Sequence, residues 1–192
     1  EDEMISAVDA ALDFWLTLGK RGKEFEKAFS HFLGIKDTVI VGSGSSANLA
    51  AVSSLLSNKL KDRLKPGDEV ITSALAFPTT VAPIVQNGLV PVFVDSRLDT
   101  LNIDERMLKK ALSKRVKAIQ ITHTLGNPCQ MDAIKRFSDK YGLYLIEDAC
   151  DALGSKFDGK YVGTFGDMAT FSFYPAHHIT MGEGGAVGIN NP

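Results

Sequence analysis

Short apolar runs alternate along most of the chain with segments of helical periodicity, and nothing else in the sequence restricts the fold so strongly. Apolar runs stand at residues 38–41, 69–72, 90–94, 116–122, 143–146 and 184–189. Between them, residues 47–56, 79–86, 103–112 and 131–141 read as helices. Two further helices precede the first run: Ala7, Ala11, Phe14 and Leu18 recur at helical spacing, and so do Phe25, Ala28, Phe29 and Phe32. Strands this short and apolar, separated by helices, predict an α/β fold. The sheet is expected to be mixed but mostly parallel, with helices on both faces. Ligands in such sheets sit beyond the carboxyl ends of the strands, so the residues just after each run carry the chemistry.

Composition removes several alternatives. A net charge of -2 over 192 residues leaves no basic stripe for nucleic acid. The Lys and Arg residues near 20–23 and 109–117 read as solvated helix faces. No apolar run reaches the ~18 residues of a membrane span. Two cysteines, Cys129 and Cys150, without metal-ligand spacing, fit a reducing cytoplasm. The chain opens in what reads as a helix and closes just after a strand, so it is expected to be part of a longer polypeptide.

Three segments are chemically conspicuous. Gly42-Ser43-Gly44-Ser45-Ser46 joins a strand to a helix, where free N–H groups and the helix dipole make an anion site. The same residues also read as an ordinary serine cap with a glycine turn. Glu147-Asp148 ends a buried strand, and a carboxylate there needs a partner. A protonated heterocyclic nitrogen, a metal or a helix end would each serve. His177 and His178 lie on a loop after Ser172, open to roles as base, metal ligands or surface residues, with metal the weakest for want of other ligands at suitable spacing.

The conjunction resembles the DegT/DnrJ/EryC1/StrS sugar aminotransferase family across nearly the whole chain. The resemblance rests on Trp15-Leu16-Thr17-Leu18-Gly19, Phe25-Glu26, the run from Ser43 to Leu49, Pro91-Val92-Phe93-Val94-Asp95, Ile146-Glu147-Asp148-Ala149 and Gly182-Glu183-Gly184-Gly185. It implies a type I aminotransferase fold and a homodimer with sites at the subunit interface. It also implies that residues 1–192 form the cofactor-binding large domain, led by helices within 1–34, while a C-terminal small domain lies outside the chain. By the same resemblance, Gly44, Ser45 and Ser172 contact the phosphate of pyridoxal or pyridoxamine phosphate. Phe77 stacks on the pyridine ring and Asp148 pairs with its nitrogen.

Two departures matter more than the matches. His177 stands where the family has its Schiff-base lysine, and Asp151, counted here among the cofactor-binding residues, replaces the usual His or Gln. Without an ε-amine the covalent anchor to the cofactor is lost. Both changes resemble the sugar 3-dehydrases, above all those acting on CDP-4-keto-6-deoxy-D-glucose in lipopolysaccharide 3,6-dideoxyhexose synthesis. That implies non-covalent pyridoxamine phosphate, His177 as the base at the cofactor's C4′, and removal of the sugar's C3 hydroxyl. It also implies an NADH-dependent flavin and iron–sulfur reductase as partner, and a 2Fe–2S cluster. A cluster of that kind needs four protein ligands, which would lie after Pro192. The alternatives are a GDP-4-keto-6-deoxymannose 3-dehydratase, which needs no cluster, and a non-catalytic homologue acting as a binding protein.

Overall fold

The computed structural model describes residues 1–191. Every apolar run becomes a strand. β1 is Asp37–Val41, β2 Glu69–Ser73, β3 Val90–Val94, β4 Val116–Thr122 and β5 Tyr144–Asp148, while β8 is Met168–Ser172 and β9 Gly185–Ile189. The two short strands between them, β6 (Lys156–Phe157) and β7 (Lys160–Tyr161), form a separate hairpin. The seven longer strands make one sheet in the order β1-β9-β8-β5-β4-β2-β3. β2 pairs in parallel with β3 and β4, β4 with β5, and β5 with β8. β9 pairs antiparallel with both β8 and β1, so it alone runs against the rest.

Side chains alternate across this sheet, and each face has its own helices. Val70, Ala118, Ile146, Met168 and Val187 pack with Ala47, Ala51 and Val52 of α3 (Gly44–Ser54) and Ile84 of α4 (Pro78–Gln86). On the opposite face, Ile71, Ile119 and Leu145 meet Leu108 of α5 (Leu108–Ala111) and Met131 and Ile134 of α6 (Met131–Tyr141). The same face continues through Ala169, Phe171 and Ala186 onto α2 (Lys20–Leu33). There Phe29 makes edge contacts with Phe171 and Phe173, ring centres 5.0 and 5.7 Å apart. The central strands β2 and β8 are buried along their whole length, which is why their sequences show no polar alternation.

Three local expectations need correction. The first helix, α1 (Asp2–Leu12), stops before Phe14, whose φ of 48° breaks the helical path. It buries no residue, and Arg21 ties its end down through Asp9 at 2.6 Å and Asp13 at 2.9 Å. Residues 103–112 are not one helix: Ile103 bridges to Ser96, and Asp104 accepts from the Arg106 N–H to cap a 3-10 turn over Glu105–Met107. Only α5 remains helical beyond it. The β6–β7 hairpin was not foreseen, although Asp158-Gly159 at its tip, both with positive φ, is a favoured two-residue turn.

Candidate active site

Five segments meet at the carboxyl ends of the strands. After β1 the chain turns at Ser43, whose extended backbone starts α3 and whose Oγ accepts from the Ser46 N–H at 3.0 Å. The serine cap and the anion site are therefore compatible: Ser43 caps, and the first-turn N–H groups of Gly44 and Ser45 keep no intrahelical acceptor. A Cβ on Gly44 would lie 2.6 Å from Ser172 Cβ and 2.9 Å from Cys150 Sγ. One on Gly185 would lie 2.2 Å from the Ser43 carbonyl oxygen. Glycine at both places lets the start of α3 settle onto the ends of β8 and β9. Ser172, the last residue of β8, is thereby set beside Gly44, and Ser45 Oγ donates to Thr79 Oγ1 at 3.0 Å.

Glu147 and Asp148 point to opposite faces of β5. Asp148, only 3% exposed, lies on the α3 side and lines the cleft. Its Oδ2 accepts from Asn48 Nδ2 at 2.9 Å and Thr80 Oγ1 at 2.7 Å, and its Oδ1 from the Cys150 N–H at 3.2 Å. Glu147 is fully buried on the other side. It accepts from the N–H groups of Gly163, Phe165 and Gly166 at 2.6–2.8 Å, and His123 Nε2 stands 3.1 Å away. Because His123 Nδ1 accepts from the Cys129 N–H at 3.1 Å, the ring proton sits on Nε2 and is donated to Glu147. Glu147 thus anchors a loop and does not reach the cleft.

His177 lies on a turn, its N–H donating to the Tyr174 carbonyl at 3.0 Å. The two histidines diverge: His177 lines the cleft, while His178 is exposed and does not. His177 Nδ1 is 3.5 Å from Asp151 Oδ1. Phe77, the residue before α4, is 69% exposed and turns an unpartnered ring to the cleft. Cys150 also lines it, and burial and the nearby Asp148 charge push its thiol well above the ordinary range.

Together these residues enclose about 570 Å³. Gly44, Ser45, Phe77, Asp148, Asp151, Ser172 and His177 all line this one cleft. The donor set suits a phosphorylated aromatic cation: N–H groups and hydroxyls at one end, a free aromatic face, and a buried carboxylate at the other end. Thr122, beside Asp148 in register, also lines the cleft, and its buried hydroxyl has no partner among the described residues. Pyridoxal or pyridoxamine phosphate fits that arrangement. Asn48, Thr80 and Thr122 were not singled out from the sequence. The readable signal was a polar residue, Asn48, within the apolar helix around Ala47 and Ala51.

Comparison with known proteins agrees. The lipopolysaccharide biosynthesis protein RfbH of Salmonella typhimurium is 56% identical over 186 residues, which are 96% of this chain and 43% of that protein. A dTDP-4-dehydro-2,6-dideoxy-D-glucose 3-dehydratase of Saccharopolyspora spinosa is 53% identical, covering 97% of this chain and 41% of the relative. Among solved structures, the E. coli GDP-4-keto-6-deoxy-D-mannose-3-dehydratase with bound hydrated PLP superposes with a TM-score of 0.93 at 40% identity. It covers all of this chain and 49% of its own. The chain spans less than half the length of these relatives, and its sheet and helices have their aminotransferase fold. The family model described as the DegT/DnrJ/EryC1/StrS aminotransferase family matches residues 1–192, and the chain belongs to that family.

Proposed function

We propose that residues 1–192 are the cofactor-binding large domain of a pyridoxamine phosphate-dependent nucleotide-sugar 3-dehydratase. Its substrate would be a 4-keto-6-deoxyhexose, CDP-linked by the resemblance in sequence, and its product a 3,6-dideoxyhexose precursor. The observation that carries this reading is His177 in the cleft, with no lysine lining it among the described residues.

When bound, pyridoxamine phosphate would supply an amine for the 4-keto group and a ring able to take up the electron pair left at C4′ and release it toward C3, from which the hydroxyl departs. Gly44, Ser45 and Ser172 hold its phosphate, and the Phe77 ring covers one face. Asp148 keeps the proton on the ring nitrogen through a charge-assisted hydrogen bond. His177 accepts the proton from the C4′ carbon, a role for which a neutral imidazole nitrogen is suited. Asp151 faces its Nδ1, leaving Nε2 as the nitrogen free to act. A lysine in that position would recapture the cofactor and favour amino transfer. Histidine biases the site toward dehydration.

The same reading makes the protein a cytoplasmic homodimer. For a CDP-sugar it adds an NADH-dependent flavin and iron–sulfur reductase, with a 2Fe–2S cluster ligated outside these residues. A GDP-linked substrate, with no cluster, is the second reading. It is favoured by the 0.93 TM-score to the GDP-sugar enzyme. Full-length protein loaded with pyridoxamine phosphate should yield a sugar lacking its C3 oxygen either from GDP-4-keto-6-deoxyhexose alone or from the CDP-sugar supplied together with NADH and the flavin and iron–sulfur reductase. Formation of a 4-amino sugar with C3 intact from both would overturn the proposal.

A further inference from the structure

Asp148 has two oxygens in unequal surroundings. Oδ2 takes the Asn48 amide and the Thr80 hydroxyl, at 2.9 and 2.7 Å, whereas among the described residues Oδ1 takes only the Cys150 N–H at 3.2 Å. The Asn48 amide cannot turn over, because its Oδ1 accepts from Thr170 Oγ1 at 2.8 Å and Gln120 Nε2 at 3.1 Å. Asn48, Thr80, Gln120 and Thr170 are all at least 98% buried. Polar groups so deeply buried are costly unless partnered, and those of this network are partnered except for Gln120 Oε1.

Their positions along the helices give the network a purpose. Asn48 lies on α3 one turn beyond Gly44, and Thr80 lies on α4 three residues beyond Phe77. The two helices that carry the anion cradle and the stacking ring are therefore each bonded, one turn in, to the same carboxylate oxygen. Resting on the cofactor assignment above, we propose that Asn48 and Thr80 are positioning residues. They occupy Asp148 Oδ2 so that Oδ1 is the oxygen offered to the ring nitrogen.

The test uses full-length protein and two ligands: pyridoxamine phosphate, and its analogue with C–H in place of the ring nitrogen. Thr80→Val keeps shape and removes only the hydroxyl, so it guards against a folding defect in Asn48→Ala. Each should weaken pyridoxamine phosphate roughly 10- to 100-fold, the usual effect of losing a hydrogen bond to a charged group. Affinity for the analogue should stay within about twofold of wild type, because it makes no ring-nitrogen contact. Adding Asn48→Ala to Asp148→Asn should then change little further. Equal weakening of both ligands would show mere structural support and overturn the inference. So would unchanged pyridoxamine phosphate binding in Asn48→Ala and Thr80→Val while Asp148→Asn binds weakly, leaving the cofactor assignment standing. Wild-type affinity in Asp148→Asn itself would overturn that assignment and the inference with it.

Discussion

Glu147 and Asp148 are adjacent acids with unrelated duties, because consecutive strand residues face opposite sides of a sheet. Asp148 opens onto the cleft, whereas Glu147 is enclosed by three backbone N–H groups and His123. Removing that carboxylate strands four buried donors at once. Glu147→Ala should therefore destabilise the fold by about 3–5 kcal/mol, through the summed cost of leaving several buried donors unpaired. In a domain of this size that is a fall of roughly 10 °C in Tm, measurable by thermal unfolding of the cofactor-free protein. A shift under about 2 °C would show that the loop around Gly163 to Gly166 holds itself. Asp148 was legible as a cleft carboxylate because it ends an apolar run. The role of Glu147 was not, since its donors come from residues with no side-chain signal, and His123 lies 24 positions away.

Six of the seven strands of the large sheet were legible as elements because each is an apolar run bounded by glycine or polar residues, and so was α6, whose apolar residues keep helical spacing. Errors arose where a local interaction competes with periodicity. The Asp104 carboxylate caps its own turn and shortens the helix expected there, and Phe14 takes a left-handed backbone that ends α1. The start of α3 is the element on which most depends. Its close approach to β8 requires Gly44 to lack a side chain, with Ser172 Cβ 2.6 Å from where a Cβ would stand. Gly44→Ala should lower stability by about 1–3 kcal/mol through overpacking. It should also weaken pyridoxamine phosphate roughly tenfold or more, by pushing the free N–H groups off Ser172. Equilibrium dialysis that finds wild-type affinity would show that the cradle tolerates the shift.

At the scale of the whole molecule, seven cleft residues drawn from six places in the chain converge at one edge of one sheet: Gly44 and Ser45, Phe77, Asp148, Asp151, Ser172 and His177. Asp148 and Ser172 are the last residues of their strands, and the others follow a strand by three to five residues. That convergence was readable from sequence because parallel sheets gather their carboxyl ends. The supporting polar network was not, because it depends on which helix lies over which strand. Beyond the cleft, α1 presents Met4, Ile5, Val8 and Leu12 without burying any of them. The central claim is that the cofactor is held without a covalent bond and that His177 moves its C4′ proton. The direct measurement is exchange of that proton with deuterated water in full-length protein loaded with pyridoxamine phosphate and given the 4-keto-6-deoxy sugar nucleotide, comparing wild type with His177→Asn. The account predicts exchange slowed by ~10²–10⁴-fold in the variant, with the cofactor still bound. Exchange at the wild-type rate in His177→Asn would contradict it.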